Sequence, residues 1–258
     1  DNTTVSSATI ALPVGHPQNP FGAPARIRAT TESLGGRNSV QDNQSLRLVG
    51  GLTGMVAGWD VDGGVGYVET KLKDTNTGYI RYSVLTEGQP VGSNLVSDDF
   101  RLGFEPMDPA YKARLSPTLV REPKNSVTFI DFKGARDLAT LPGGPMSMSV
   151  GVEARREKSD TPALPYTFEG DIVGLGYSGF NASRTVYAMF GELNAPISKE
   201  FELTGALRHD RYSDYGTSTT PKLSFKWRAA PQFAFRGPYA EGFRAPGPAE
   251  NGNSATAG

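Results

Sequence analysis

The sequence predicts an all-β protein, an antiparallel up-and-down meander that forms part of a large transmembrane β-barrel. Three observations lead to this fold class. Apolar residues alternate with polar ones, the alternating segments are long, and short turns alternate with long loops along the chain. A period of two places one kind of side chain on each face of a strand, so these strands have one oily and one wet face.

The clearest alternation lies between Ser183 and Pro246. Along one strand the apolar parity carries Leu223, Phe225 and Trp227, and the other parity carries Lys222, Ser224, Lys226 and Arg228. The runs that begin at Phe201 and Phe233 repeat the pattern. Such runs are roughly 10 to 13 residues long, whereas a globular strand has about 5 or 6. About 9 to 11 residues are enough for a tilted strand to cross a bilayer.

The connections between these runs are of two kinds. Asn194 to Glu200 and Ala229 to Gln232 are tight, proline-containing turns, whereas Gly170 to Ala182 and the segment after Glu241 are glycine-rich loops that leave from the other end. Short turns on one side and long loops on the other are typical of outer-membrane barrels. Aromatic residues lie beside the short turns, where an interfacial girdle is expected; they are Trp59, Phe201, Trp227 and Phe233.

Two more hairpins are predicted upstream. Leu46 to Leu52 pairs with Trp59 to Tyr67 across a turn at 53–58, and Asn125 to Ala139 pairs with Met146 to Lys158 across Leu141 to Pro145. Glycines interrupt the first hairpin and predict bending of the sheet or close approach of another backbone; they are Gly50, Gly51, Gly63, Gly64 and Gly66.

The chain is predicted to be one partial barrel over 1–258, with long extracellular loops at 74–123 and 159–181. Unstructured connections of this length are usually functional or mobile. The aromatic residues of the first loop either meet a ligand or fold the loop on itself; they are Tyr79, Tyr82, Phe100, Phe104 and Tyr111.

Bulk composition narrows the alternatives only slightly. The chain has 258 residues, a net charge of −1, 37% hydrophobic residues and no cysteine. Average hydrophobicity does not register alternation, so a barrel wall resembles a soluble domain by this measure. The longest nearly apolar run, Leu48 to Trp59, is too short for a transmembrane helix. Without a basic excess, a nucleic-acid partner is not expected.

The charged residues predicted to face inward are the candidate functional residues. They are predicted either to line a ligand path or to keep a water-filled wall solvated and cross-paired. They are Glu192, Arg208, Asp210, Lys222, Lys226 and Arg236. Arg244 is predicted at the mouth of the loops, where it anchors the following segment.

No catalytic, metal or cofactor site is predicted. The chain carries none of the common nucleophile, zinc, phosphate or dinucleotide motifs. Asp210 and Asp214 are four residues apart, but a carboxylate pair beside a turn is usually a cap. His16 is predicted to be a loop histidine, and His209 has no evident catalytic partner. The protein is therefore not expected to be an enzyme.

Several runs resemble one known family. AMFGELNAPI, LRHDRYSDYGTSTTPKLSFKWR and RGPYAEGFRAP resemble the C-terminal half of the TonB-dependent receptors of Gram-negative outer membranes. PQNPFG, RLVGGLTGMVAGWDVD, LPGGPMSMSVGVEARRE and GDIVGLG resemble the Oar-like and general receptor branches of that family. The resemblance spans about Pro17 to Pro246, and FRAP together with YSDYGTSTTPK is its most specific part.

This resemblance implies a barrel of about 22 strands closed by a plug. It also implies a cell outer-membrane location, contact with outer-membrane lipid, and import of a scarce siderophore, vitamin, sugar or peptide. The energy comes from the TonB complex through a plug that this chain is expected to lack, as it is expected to lack the last strands. Pro238 departs from the family pattern and implies a pairing defect or an edge strand.

Two other interpretations remain open. In a soluble all-β binding or adhesion domain, the oily parity would be a sandwich core covered by a second sheet. In a passive porin, the same wall would surround a channel without a plug. A membrane barrel of either kind differs from a sandwich because its apolar belt is left uncovered.

Overall fold

The computed structural model describes residues 4–5, 10–27, 29–30, 32–251 and 253–257. Within these ranges the strands are β1 (Thr4–Val5), β2 (Ala11–Leu12), β3 (Ala25–Arg26), β4 (Ala29–Thr30), β5 (Asn38–Val56), β6 (Trp59–Thr77), β7 (Leu119–Arg121), β8 (Lys124–Leu141), β9 (Gly144–Thr161), β10 (Tyr177–Pro196), β11 (Phe201–Tyr212), β12 (Gly216–Ala230), β13 (Phe233–Ala240) and β14 (Asn253–Ala257). The helices are α1 (Tyr82–Leu85), α2 (Pro109–Leu115) and α3 (Pro248–Asn251), with a 3-10 turn at Glu32–Leu34.

One large antiparallel sheet dominates the molecule. Its main strands follow in the order β5, β6, β8, β9, β10, β11, β12 and β13, and each pairs with the next along the chain. Two short strands are added to it, since β7 pairs with β6 and β14 pairs with β10. The up-and-down meander predicted from the sequence is therefore confirmed. In the described part of the chain β5 and β13 are the outermost strands and the barrel does not close.

Tight turns join these strands at one end of the sheet. Ala57 and Gly58 connect β5 to β6, and their φ angles of 51° and 79° are those of a type I′ turn, which matches the twist of a hairpin. Residues 142–143, 197–200 and 231–232 make the other connections at this end. The first turn is narrower than the predicted 53–58 because strand pairing continues to Val56.

Connections at the opposite end are longer, with one exception. Residues 78–118 separate β6 from β7, and residues 162–176 separate β9 from β10. The β11–β12 connection is only three residues, 213–215, which the sequence pattern did not predict. Strand pairing also extends into the predicted loops at 74–123 and 159–181, because backbone hydrogen bonds continue where the apolar alternation has ended.

Three glycines of the sheet lie under aromatic rings. A Cβ at Gly66 would come within 2.4 Å of the Phe129 ring, one at Gly151 within 2.4 Å of Phe190, and one at Gly237 within 2.3 Å of Phe225. Each aromatic residue is the direct cross-strand partner of its glycine. The ring covers backbone that a side chain would otherwise shield. Gly66 therefore makes room for the Phe129 ring of the neighbouring strand. The close backbone approach expected of these glycines is seen instead at Gly51, where an added Cβ would lie 3.1 Å from the Gly63 carbonyl oxygen.

A hydrophobic core lies at the loop end of the sheet. We call it the loop domain, and it brings together the segments 10–34 and 80–115 with residues near 172. Its buried side chains are Ile10, Leu12, Ile27, Ile80, Val84, Leu85, Val96, Phe100, Met107, Tyr111 and Leu115. Of the aromatic residues predicted to fold this loop on itself or to meet a ligand, Phe100 and Tyr111 are buried in this core, whereas Tyr82 and Phe104 are exposed.

Polar side chains connect the segments of the loop domain. The ring of the buried His16 is hydrogen-bonded at Nε2 to the Phe100 carbonyl (2.8 Å) and accepts the Gln18 N–H at Nδ1 (3.1 Å). Arg81 donates to Asp171 (2.8 Å) and stacks on the Tyr166 ring at 3.9 Å. Both nitrogens of His16 are thus engaged within the protein, which accounts for its position without a metal.

Helices contribute little to the described residues. In α2, the Asp108 carboxylate caps the helix by accepting the N–H groups of Ala110 and Tyr111, each at 2.9 Å. Pro109 follows at the first helical position, where its missing N–H costs no hydrogen bond. Among the residues described, no helix has the length and apolar character needed to span a membrane.

We predict that Phe100→Ala opens the loop domain and leaves the main sheet intact. Phe100 is 0% exposed, and deleting a buried phenylalanine ring costs about 3–5 kcal/mol. Amide hydrogen exchange of the full-length protein should show lost protection in the loop-domain segments 10–34 and 80–115 and unchanged protection in the main sheet. Phe104→Ala is the matched control, since Phe104 is 85% exposed and should change stability by less than about 0.5 kcal/mol. Equal exchange in the two variants would contradict the proposed core.

A pH dependence follows from Tyr111. Burial raises the pKa of its phenol from 10.0 to about 12, and its hydroxyl donates to the Val84 carbonyl (3.2 Å). The folded state favours the neutral phenol, so this stabilisation is complete below pH 10 and is lost as the pH rises towards 12. In the wild type, the free energy of opening of the loop domain, measured by hydrogen exchange, should fall as the pH rises from 10 towards 12. Tyr111→Phe should remove that dependence, and a persistent alkaline transition in this variant would refute the assignment.

Candidate functional site

The strand register assigns the side chains of the sheet to two faces, because residues directly opposite each other lie on the same side. Lys226 lies opposite Glu202 on β11 and Arg236 on β13. Leu223 lies opposite Gly205 and Tyr239. The same parity can be followed from strand to strand, and we refer to the two sides as the ionic face and the apolar face.

The apolar face is uncovered. Leu223, Phe225 and Trp227 are 52%, 40% and 48% exposed, and Val150 on β9 is 40% exposed. Further large apolar side chains of this face are also exposed: Leu48, Leu52, Val65, Ile130, Phe132, Val152, Tyr187, Met189, Leu207, Phe235 and Tyr239. In a sandwich these side chains would interdigitate with those of a second sheet. Across the described residues they form a continuous exposed belt instead.

A chain of alternating charges crosses the ionic face. Arg155 contacts both its neighbours on β9, Glu153 at 2.6 Å and Glu157 at 2.7 Å. The Glu157 carboxylate also accepts a hydrogen bond from the Arg184 guanidinium of β10 at 2.6 Å. At the other end, Arg208 of β11 contacts Glu153 at 3.3 Å. We call this series the ionic chain.

Arg208 extends the ionic chain to Asp210. Its Nη2 lies 2.9 Å from Asp210 Oδ1 and its Nε 3.0 Å from Oδ2, a two-point contact that fits the planar guanidinium. The completed series has three arginines and three carboxylates, so it carries no net charge. Asp210 is almost fully buried, and this pairing compensates the loss of its hydration.

All six charges predicted for the wall occupy the ionic face by register, but they differ in their partners. Arg208 and Asp210 belong to the ionic chain. Lys226 is 3.9 Å from Glu202, a loose contact between exposed side chains. Glu192, Lys222 and Arg236 make no ion pair with any described residue and are exposed. Their role at a lumen or a plug stays a prediction.

Three of these residues line one shallow cavity of about 320 Å³. Glu192, Arg208 and Lys222 border it, together with Glu241, Thr220 and Phe190. It therefore offers two acids, two cations and a hydroxyl within one depression of the sheet. Such a set can hydrogen-bond a polar ligand or the surface of another protein segment.

The two most specific sequence motifs meet at the loop end. The Phe243 ring of FRAP lies 5.9 Å from that of Tyr212 and 5.7 Å from that of Tyr215, both in YSDYG. Arg184 donates to the Pro246 carbonyl at 2.7 Å while it also pairs with Glu157. The segment after β13 is thereby connected to the ionic chain.

Arg244 makes an ion pair within the segment that follows β13. Its guanidinium contacts both carboxylate oxygens of Glu250, at 2.8 and 3.1 Å. Together with a hydrogen bond from the Gly247 N–H, this contact lowers the pKa of Glu250 to about 2. Arg244 thus anchors a loop, and its position at a loop mouth stays a prediction.

The aromatic residues predicted for a girdle lie at the turn end of the apolar face. Trp59 begins β6 directly after its turn, and Phe201 of β11 faces Trp227 of β12. Phe233 begins β13 and is exposed. Trp59 also receives the Arg136 guanidinium over its ring at 5.5 Å. Their contact with a lipid interface stays a prediction.

The remaining polar candidates have local partners. His209 is hydrogen-bonded to Thr219 across the strands at 2.8 Å. The Asp214 carbonyl accepts the Asn251 amide at 2.9 Å. Nowhere in the described ranges do three or more acidic or histidine side chains gather in a way that could hold a metal ion.

Glu153, Arg155, Glu157 and Arg184 were not among the predicted wall residues. A signal for three of them was present, because EARRE places Glu153, Arg155 and Glu157 two apart and hence on one face. Arg184 could not be added from sequence, since its contact with Glu157 depends on the β9–β10 register.

A family model described as TonB dependent receptor-like, beta-barrel, matches residues 2–258. Comparisons with curated proteins and with solved structures found no match. The family match covers nearly the whole chain, and it agrees with an antiparallel up-and-down sheet whose two faces differ in polarity. We conclude that this chain belongs to the TonB-dependent receptor family and represents its β-barrel domain.

Proposed function

We propose that this chain forms the wall of an outer-membrane receptor that captures a scarce extracellular ligand and imports it with energy from TonB. The apolar face contacts lipid and the ionic face lines the enclosed aqueous space. The ligand binds first at the loop end, and a plug inside the barrel then rearranges to let it pass. The candidate ligands are siderophores, vitamins, sugars and peptides.

The uncovered apolar belt carries this proposal. Residues such as Leu223 and Phe225 would be costly to expose to water, at about 25 cal/mol per Å² of apolar surface. Hydrocarbon removes that cost because lipid tails are as apolar as the side chains. A soluble adhesion domain would need another layer over this belt, so the membrane interpretation is favoured.

The free charges are better candidates for plug or ligand contact than the ionic chain. Within the ionic chain every carboxylate has an arginine partner, so these groups stabilise the wall and have little capacity for a further partner. Glu192, Lys222 and Arg236 are exposed and unpaired among the described residues. Transient ion pairs with a moving plug require charges that are accessible in this way.

The loop domain supplies a preorganised surface for capture. Its core fixes the 80–115 segment, and Arg81 with Asp171 attaches that segment to the β9–β10 connection. A rigid surface loses less conformational entropy on binding than a mobile loop does. Phe104, which remains exposed beside this core, is suited to contact an incoming ligand.

The orientation of the wall can be tested by cysteine scanning of the full-length receptor in membranes. The natural sequence has no cysteine, so each introduced thiol is the only one within this chain. We expect Lys222→Cys, Ser224→Cys and Lys226→Cys to react with a water-soluble maleimide. Leu223→Cys and Phe225→Cys should resist it, and a bimane label attached to them after detergent extraction should be quenched by brominated lipid after reconstitution.

Neighbouring residues of one strand act as mutual controls in this scan, since they share depth and differ only in face. Detergent-denatured samples should label at all five positions. Uniform labelling of the folded protein, or quenching by lipid at Lys222→Cys, would contradict the proposed orientation.

Coupling to TonB can be tested by uptake into cells that carry the receptor, with and without functional TonB. The probes are a radiolabelled ferric siderophore, cobalamin, a maltodextrin and a tetrapeptide. We expect uptake of one probe class that falls to background without TonB, because a plugged barrel does not conduct passively. Uptake that continues unchanged without TonB would indicate a porin instead.

A further inference from the structure

Strand β10 extends beyond its neighbour β11 at the loop end of the sheet. It is 20 residues long, whereas β11 has 12 residues and ends at Tyr212, opposite Val186. Ser213 adds hydrogen bonds with Thr185 at 2.9 and 3.0 Å, and the chain then turns into β12. The edge of β10 over residues 177–181 is therefore beyond the reach of β11.

A segment from a later part of the chain fills this edge. β14 pairs with β10 in an antiparallel register, from Asn253 opposite Asn181 to Ala257 opposite Tyr177. Because β11 is also antiparallel to β10, β14 continues the line of β11 after β11 has turned away. In the described part of the chain β14 pairs with no other strand. It thus takes the place that a longer β11 would occupy.

The segment that leads to β14 is attached more weakly after Pro246, whose carbonyl accepts a hydrogen bond from Arg184. Beyond that point α3 has only four residues, too few for a helix that is stable alone. The Arg244 and Glu250 side chains of its ion pair are 77% and 50% exposed, and such exposed pairs contribute little to stability. β14 can therefore leave β10 while the ring contacts of Phe243 stay in place.

The sequence of β14 offers little beyond its backbone. Residues 253–257 read NSATA, which contains no large apolar residue, and asparagine and alanine are depleted in strands. Strand pairing uses the backbone N–H and C=O groups that nearly every residue carries. A strand edge is for this reason a template for any extended segment. The 177–181 edge therefore accepts sequences other than that of β14.

Two aromatic residues of β10 give this edge a preference. Phe180 lies on the ionic face and Tyr177 on the apolar face by register, and both are half-buried. The Tyr177 ring lies 5.1 Å from that of Phe168. In the register of β14 the residue opposite Phe180 is Ser254. A larger apolar side chain at that position would pack on the Phe180 ring, because directly opposite residues share a face.

We propose that the 177–181 edge of β10 captures an extended peptide, which displaces residues 253–257 and adds to the sheet as a strand. This inference rests on the proposed function and names peptides as its ligand class. Main-chain hydrogen bonds supply affinity, and the side chain opposite Phe180 supplies selectivity. The chain's own strand competes for the edge, so only a peptide that pairs better than NSATA displaces it.

The first test is binding of a labelled pentapeptide, acetyl-Asn-Phe-Ala-Thr-Ala-amide, to the purified full-length receptor. Its phenylalanine takes the position opposite Phe180. The double variant Ala255→Pro, Thr256→Pro weakens the competing strand. Consecutive N–H groups of a strand point to opposite sides, so one of the two prolines removes a hydrogen bond to β10. We expect this variant to bind the peptide about tenfold more tightly than the wild type does.

A disulfide lock provides the opposite test. Ser178→Cys with Thr256→Cys joins two directly opposite residues, in a chain whose natural sequence has no cysteine. The oxidised lock should not bind the peptide, and its reduced form should bind as the wild type does. The matched control, Thr204→Cys with Ser224→Cys, joins β11 to β12 within the wall and should leave binding unchanged in both redox states. Heat-modifiable mobility on SDS gels verifies folding.

Two N-methylated forms of the peptide, methylated on alternate amides, test strand addition itself. Only the form whose methyl groups replace the hydrogens that face β10 should fail to bind. Equal binding of the two forms, binding to the oxidised lock, or equal loss in the control lock would overturn the proposal. So would the absence of binding to the proline variant at a few millimolar peptide, the concentration that a short tether gives the chain's own strand.

Uptake separates this inference from the proposed function. TonB-dependent import of a ferric siderophore by a receptor that fails these binding tests would refute the peptide site and leave the proposed function standing. Peptide binding as expected, with uptake that continues unchanged without TonB, would support the peptide site and contradict TonB-coupled import.

Discussion

The cross-strand register is the constraint on which the rest of the structure depends. Side chains alternate with a strict period of two. A slip of one residue in the pairing would therefore turn Leu223 and Phe225 to the ionic face, and Lys222 and Lys226 to the apolar face. Two register shifts do occur, near Asp137 and near Arg228. Both lie beside tight turns, so the parity is preserved across the apolar belt.

Given this register, burial decides which charges of the ionic face have partners. Arg155 has carboxylates two residues away on either side along β9, and β10 and β11 contribute Arg184 and Arg208 at the two ends. Part-buried charges need such partners, whereas exposed ones such as Lys222 do not. A wall built in this way pairs its part-buried charges internally and still presents a second set of charges that other groups can reach.

The sequence was sufficient for features that depend on local alternation and insufficient for those that depend on long-range contact. The hairpin strands and the common face of Glu192, Arg208 and Lys222 follow from a period of two. The loop domain has no period, because Ile10, Phe100 and Leu115 come from segments that meet only after folding. Rings over Gly66 and Gly151 likewise depend on which residue lies opposite. The ends of β9 and β10 were missed because their outward residues are already polar there.

Arg184 explains why the loop end and the ionic face behave as one structure. Its guanidinium pairs with Glu157 at 2.6 Å, donates to the Pro246 carbonyl at 2.7 Å and lies 5.5 Å from the centre of the Tyr212 ring. Movement of the segment after β13 away from the sheet would remove a hydrogen bond from a half-buried cation, which is unfavourable. Phe243 reinforces the attachment by packing against Tyr212 and Tyr215. The most recognisable motifs of the chain are therefore the residues that join its loops to its wall.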